Sequence, residues 1–274
     1  MSFFSLPWFR PPNTPIRDWS SRTVWVVGAS TGIGLALGQA LVRHGAQVCV
    51  SSRRLDALEA GFPESDVLKV ICDIREPGAV RHALAQQSAR SRLPDVVFWV
   101  AGDYKPLHSA QFDPVVARDL IETNLNAAFD GLSALGEAWG LGNARSGSPS
   151  GPPRHLCWFG SVAAYRGLPQ ALAYSASKAG LMAMAETSHV ELKPLGVDVS
   201  IVSPGFVQTR LTDQNTFEMP ALLTTDQAAQ ETLAGLATGA FEIHFPKRFT
   251  LGLKLLRILP HRIALALLAR TRPQ

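Results

Sequence analysis

Tyr174 and Lys178 stand four residues apart in Tyr174-Ser175-Ala176-Ser177-Lys178, at the head of an alanine-rich stretch with helical character. Side chains at that spacing share one helix face, so a chance pairing on a solvated face is the plain reading. The chemical reading is that an ammonium beside a phenol makes the phenol a better acid. Tyrosine titrates near ~10 in water, and a neighbouring cation favours its ionised form. A shift of about 3 units corresponds to ~4 kcal/mol of differential stabilisation. Two further polar groups occur in apolar surroundings: Ser161, 13 residues before the tyrosine at the end of HLCWFG, and Asn124 within IETNLNAAF. Each has an ordinary structural use, the serine as a cap and the asparagine as a satisfied buried amide. Together they supply the groups that proton transfer at an oxygen requires.

Such groups must be held by a scaffold, and the chain describes one. TVWVV (23–27), QVCVS (47–51), VLKVI (67–71), DVVFWV (95–100), HLCWF (155–159) and VDVSIV (197–202) read as short strands, apolar almost throughout. That pattern predicts strands covered on both faces. Helical stretches separate them: GLALGQALVRH, PGAVRHALAQQSAR, the segment 113–139, YSASKAGLMAMAETSHVELK and TTDQAAQETLAGLA. The alternation predicts an α/β fold, a single doubly wound parallel sheet with helices on both sides. It also places Ser161 at the carboxyl edge of the sheet, where ligands bind in such folds. GNARSGSPSGPP (142–153) reads as an exposed loop, because the alternation resumes after it.

The first strand runs into Gly28-Ala29-Ser30-Thr31-Gly32-Ile33-Gly34 and then a helix. Glycines there allow a tight turn and let backbone N–H groups approach a pyrophosphate at a helix N-terminus, which predicts a dinucleotide site. The second strand ends in Ser51-Ser52-Arg53-Arg54, with no carboxylate to bind a ribose diol. Arginine instead matches the additional phosphate of NADP(H), so NADP(H) is preferred over NAD(H), with Arg53 the first candidate and Arg54 the second. Capping of a solvated helix start is the alternative use of both. Asp73, after the third strand, is placed to meet an adenine or to shape a turn. Ser203-Pro204-Gly205-Phe206-Val207-Gln208-Thr209 forms a rigid turn after the sixth strand.

GASTGIG, Asn124, Ser161, YSASK and SPGFVQT, in that order and spacing over residues 22–245, resemble the classical short-chain dehydrogenase/reductase family. The resemblance implies a Rossmann-type domain transferring hydride between NAD(P)(H) and a carbonyl or alcohol. By position it makes Tyr174 the acid/base, Lys178 its activator, Ser161 the ligand of the substrate oxygen and Asn124 the residue holding a proton-relay water. It further implies cofactor contacts from Gly28, Ser30, Thr31, Gly32, Ile33, Gly34, Ala101, Gly102, Tyr174, Lys178, Pro204, Gly205, Val207 and Thr209, the last toward the nicotinamide amide. A homodimer or homotetramer is expected on the same ground. Two positions depart from the pattern. Trp99-Val100 replaces the usual Asn-Asn before Ala101-Gly102, and Val27 replaces a common threonine. The rival expectation is a non-catalytic NADP(H)-binding sensor or scaffold of the same fold, and retention of both Tyr174 and Lys178 argues against it.

With 274 residues, 46% hydrophobic and 18% charged, the chain is long enough for one large domain. A formal charge of +4, spread along the sequence, gives no nucleic-acid footprint. Cys49, Cys72 and Cys157 are far apart, with neither metal-ligand nor disulfide spacing, and read as buried free thiols. MSFFSLPWFRPPNTP lacks the features of a signal peptide, and a cytoplasmic protein is expected. The expected organisation is an extension over 1–21, the catalytic domain over 22–245 and an amphipathic helical tail over 246–274. In that tail Thr250, Lys254, Arg257 and His261 form a polar stripe among leucines, and Pro260 divides it. It is too short to span a bilayer. It is expected to dock on its own or a partner subunit, to wall the substrate pocket, or to lie on an anionic membrane. The pocket-shaping loops, 103–112 and 208–222, carry no motif that names a substrate. A bulky hydrophobic carbonyl or alcohol is expected from the tail alone.

Overall fold

The computed structural model describes residues 10–143, 153–214 and 218–271. The aromatic residues Phe3, Phe4, Trp8 and Phe9 and most of the 142–153 loop lie outside them. Seven strands form one parallel sheet: β1 (Thr23–Val27), β2 (Gln47–Ser52), β3 (Leu68–Ile71), β4 (Val96–Trp99), β5 (Arg154–Phe159), β6 (Val197–Pro204) and β7 (Glu242–Phe245). Their order is β3-β2-β1-β4-β5-β6-β7. The chain therefore winds outward one way to β3, then returns to β4 beside β1 and winds the other way. A crevice opens at that reversal, beyond the carboxyl ends of β1 and β4.

Apolar residues on consecutive positions suit strands covered twice. Trp25, Val27, Val97, Trp99, Leu156 and Trp158 face one buried cluster, with α3 (Ala79–Arg90), α5 (Ala127–Ala138) and α6 (Leu172–Leu192). Val24, Val26, Val48, Val50, Val96 and Phe98 face the other, with α1 (Gly32–Arg43), α2 (Leu55–Gly61) and α7 (Thr225–Ala237). Each strand thus feeds both cores by its pleat. Trp99 does the bracing that a polar pair would otherwise do. Its ring packs 5.6 Å from that of Trp158, and it fills the space over Gly131 so fully that a Cβ there would come within 2.4 Å.

The segment 113–139 is not one helix. Asp113 caps α4 (Pro114–Ile121) by accepting from the Val115 N–H at 2.8 Å, with Pro114 in the first turn. A π-helical turn, Glu122–Asn126, then separates α4 from α5. Such wide turns break the regular ladder and occur often at functional sites. The capping box of Thr224 and Gln227 starts α7. Two elements, α2 and β7, are absent from the sequence reading. The first is seven residues with only Leu58 buried, and the second is an edge strand that alternates Glu242, Ile243, His244, Phe245. Neither carries the continuous apolar run of a central strand or the long period of a helix.

Before β1, Asn13 donates to the Val199 carbonyl at 2.8 Å and Trp19 stacks 6.0 Å from Phe98, tying the start of the described chain to the body. After β7 come α8 (Lys247–Ile258) and α9 (His261–Ala269), separated at Leu259-Pro260 as the proline predicts. Cys49, Cys72 and Cys157 are free and buried.

Candidate active site

A cavity of about 720 Å³ occupies the crevice at the carboxyl edge of the sheet. Its floor is the turn from β1 into α1. Gly28 has φ +89°, and a Cβ on it would meet the Ala101 backbone nitrogen at 2.6 Å, so only glycine lets this turn touch the end of β4. Gly32, at φ +60°, comes against Thr209, whose Cγ2 lies 3.2 Å from an ideal Cβ. The glycine turn and the turn after β6 thereby close on each other across the cavity. Thr31 caps α1 without a side-chain hydrogen bond, and the first turn holds no acidic residue. The N–H groups and positive end of a 12-residue helix are therefore presented to the cavity, an arrangement suited to a diphosphate.

Every residue expected at the cofactor lines this one cavity: Gly28, Ser30, Thr31, Gly32, Ile33, Gly34, Arg53, Arg54, Asp73, Ala101, Gly102, Tyr174, Lys178, Pro204, Gly205, Val207 and Thr209. At the β2 end, Ser52 orders the start of α2 by accepting from the Arg54 N–H at 3.1 Å. Arg53 and Arg54 are exposed at the rim, and among the described residues neither guanidinium has a hydrogen-bonded partner. A third arginine, absent from the sequence reading, joins them. Arg75 chelates Asp73 with contacts of 3.2 and 3.1 Å and lines the same cavity. That bond, more than Arg53, holds the Asp73 carboxyl below its ordinary range. The two-residue offset of an acid and an arginine was the available signal. Three guanidiniums, with the Asp73 carboxylate engaged by one of them, make this end suited to anions.

At the other end are Tyr174 and Lys178, in the first turns of α6. Lys178 is buried and donates to the Phe159 carbonyl at 2.8 Å, with its Nζ 5.8 Å from the centroid of the Tyr174 ring. Burial lowers its pKa to about 8. The phenol moves opposite to the sequence expectation. Burial raises the Tyr174 pKa, the nearby Ser161 side chain pulls it down, and Tyr104 pushes it further up. Lys178 stands beside the ring, and its ammonium donates to the carbonyl at the end of β5. Tyr104, also missed, meets the Tyr174 ring edge-on at 5.0 Å. It lies in the loop where no motif stood out.

Ser161 and Asn124 sit just behind the lining. Ser161 caps a short turn, accepting from the Ala163 N–H at 3.1 Å. Asn124 lies in the π-helical turn and uses its whole amide: Oδ1 accepts from the Asp103 N–H at 2.7 Å, and Nδ2 donates to the Asp103 carbonyl at 2.8 Å and to Ser177 Oγ at 3.2 Å. It thereby stitches the loop after β4 to α6 beside Lys178. Lys105, Asp119 and Arg210 complete the charged part of the lining.

Residues 22–219 match the family model described as short chain dehydrogenase. An uncharacterized oxidoreductase of Myxococcus xanthus is 32% identical over 249 residues, covering 89% of this chain and 95% of its own. The 3-oxoacyl-[acyl-carrier-protein] reductase MabA of Mycobacterium avium is 29% identical over 192 residues, covering 70% of this chain and 69% of its own. Among solved structures, a short chain dehydrogenase from Burkholderia cenocepacia in complex with NADP superposes with a TM-score of 0.77 at 24% identity, covering 94% of this chain and 100% of that one.

Proposed function

The chain belongs to the short-chain dehydrogenase/reductase family of oxidoreductases, and from that premise we propose that it interconverts a hydrophobic ketone or aldehyde and its alcohol with NADP(H). The carrying observation is that one cavity holds a cluster of arginines and, at a separate strand end, a half-buried Tyr174 beside a buried Lys178. Arg53 follows β2 and Ser161 follows β5, three strand spacings apart, or about 14 Å at ~4.8 Å each. A dinucleotide laid across β1 and β4 would reach from one to the other, with its diphosphate on the N-terminus of α1. Arg53 and Arg54 would then pair with the 2′-phosphate of the adenosine ribose.

When bound, the nicotinamide supplies the hydride that adds to the carbonyl carbon. Tyr174 gives its proton to the oxygen, so that one hydride and one proton make the alcohol. Because burial keeps Tyr174 protonated, it is set up as a general acid in the reductive direction. Ser161 orients the carbonyl and hydrogen-bonds its oxygen more strongly as charge builds. Lys178, buried and cationic below about pH 8, stabilises the phenolate left behind. Asn124 positions the loop and α6 around Lys178, and we assign the relay water of the family to this turn. Relatives named as 3-oxoacyl and polyketide ketoacyl reductases support a carbonyl substrate. We extend the proposal to a homodimer or homotetramer through the helical segments that carry Asn124 and Tyr174, where Phe129 and Val190 stand exposed. A titration with NADPH and NADH tests the cofactor reading: tighter binding of NADPH is expected, and equal or tighter binding of NADH would refute it.

A further inference from the structure

α8 turns part of its polar stripe toward the body, beside Phe249 and Leu253, while α9 buries Ala264 and Leu268. In the polar stripe of the tail Thr250 is buried and Lys254 half-buried, while Arg257 and His261 are exposed and find partners at the surface. Thr250 is buried and bonds to His244 at 2.6 Å, and Lys254 pairs with Glu242 at 2.6 Å. Arg257 reaches Glu186 at 3.9 Å, and His261 meets Arg166 at 3.1 Å. Arg166 also donates to the carbonyls of Leu256, Arg257 and Leu259 at 3.2, 2.9 and 2.8 Å. It satisfies the end of α8 and fixes the corner into α9. The polar side of α8 thus finds its partners within the protein itself.

The side left outward is apolar. Leu251, Leu255 and Ile258 recur at i, i+4 and i+7 on α8, with 55%, 56% and 77% of their surface exposed. Ile263 and Leu267 continue the surface on α9. An amphipathic helix in water normally wets its polar side, so an exposed apolar row on a helix whose polar residues are already partnered marks a surface that is covered in use. Its charge identifies the cover. Residues 246–274 contain no Asp or Glu. Lys247, Arg248, Arg262 and Arg270 are exposed, and among the described residues none of the four has an ion pair.

We propose that α8 and α9 form a platform that lies in the plane of an anionic lipid surface, leucine and isoleucine side chains entering the acyl boundary and the flanking cations meeting lipid phosphates. A second copy of this chain fits the face less well, because a two-fold contact sets its own cations against themselves with no carboxylate between. None of the helices among the described residues is long and apolar enough to cross a membrane, and twelve residues of α8 extend about 18 Å, a length for lying flat. The platform stands one contact away from the cavity. Phe249 on α8 stacks 5.5 Å from Phe206 and abuts Gly205, which lines the cavity.

Flotation of the full-length protein with phosphatidylcholine vesicles, with and without about 30 mol% phosphatidylglycerol, tests the proposal. The protein is expected to float with the anionic vesicles and to be released by high salt. Leu255→Glu with Ile258→Glu, and separately Arg248→Glu with Arg262→Glu, should each lower the bound fraction roughly tenfold. Those side chains are exposed, so melting temperature and NADPH binding should stay at the wild-type values. Absence of flotation with anionic vesicles would overturn the proposal. So would equal flotation with neutral ones, or conversion of an oligomer to monomers by the apolar pair of substitutions without loss of vesicle binding.

Discussion

Lys178 donates a hydrogen bond from its ammonium to the carbonyl of Phe159, 2.8 Å away, while its neighbour Tyr174 is held by burial in the protonated form. The bond joins the end of β5, which leads to Ser161, to the first turns of α6, which carry Tyr174. It also leaves a cation in a dry site, which costs stability and prepares the site for negative charge.

That cost is measurable. The unfolded lysine keeps its proton to about 10.5 and the folded one only to about 8. Below pH 8 both are charged and the folded form bears the full penalty, on the order of 3 kcal/mol at ~1.36 kcal/mol per unit. Between pH 8 and 10.5 the unfolded chain binds the additional proton, so this contribution to stability rises with pH. Lys178→Met should therefore raise the melting temperature at pH 7, and the difference from wild type should shrink toward pH 10. Denaturant melts of both proteins across that range check it; a variant less stable than wild type at pH 7 contradicts it.

The same group sets a pH profile for catalysis. In the reductive direction Tyr174 must carry a proton, which its raised pKa secures, and Lys178 must be charged. The profile of kcat/KM for carbonyl reduction, which reports the free enzyme, should be level near neutrality and fall above about pH 8. Alcohol oxidation needs the phenolate and should instead rise with pH on its acid side. Initial rates in both directions, measured with one ketone and its alcohol, separate these limbs.

At the other end of the cavity, Arg53→Ala should weaken NADPH binding roughly 10- to 100-fold, as the loss of a charge-assisted contact of about 1.5–3 kcal/mol requires. NADH binding should change little. The double substitution with Arg54→Ala should lose more than either alone, because both guanidiniums stand unpartnered at the rim. Calorimetric titration of each variant with both nucleotides gives the comparison.

The sheet floor makes a prediction that does not involve ligands. Gly131→Ala would drive a methyl group to within 2.4 Å of the Trp99 ring. Overpacking of this kind costs typically ~1–3 kcal/mol, and the ring is wedged against Trp158 with little room to yield. A drop in the urea midpoint without a change in slope is expected. Gly136→Ala, on the same helix with nothing within 4 Å, is the control and should be neutral or stabilising.

Much of the architecture was legible because the central strands are apolar on consecutive positions, which only a doubly covered sheet explains. The glycine turn was legible for a similar reason: Gly28 and Gly32 sit at a strand end and a helix start, where their φ values demand glycine. Local signals did not extend to β7, an edge strand with polar alternate positions, or to the π-helical turn at Asn124, which differs from regular helix by one residue's register. Side-chain direction was illegible altogether. Spacing put Lys178 on the face of Tyr174, but whether its ammonium points to the phenol or to Phe159 depends on where β5 ends. Likewise the stripe of Thr250, Lys254, Arg257 and His261 announced an amphipathic helix without saying which side faces the protein. Arg75 and Tyr104 lay in loops, where tertiary placement alone brings them to the cavity.

The central claim is that Tyr174 supplies the proton in a hydride-transfer site, and Tyr174→Phe tests it most directly. The variant removes one hydroxyl and leaves the ring in place against Tyr104. With NADPH and a hydrophobic ketone, kcat should fall on the order of 10²–10⁴-fold while NADPH binds as tightly as to wild type. Turnover at the wild-type rate in a variant that still binds NADPH would contradict the account.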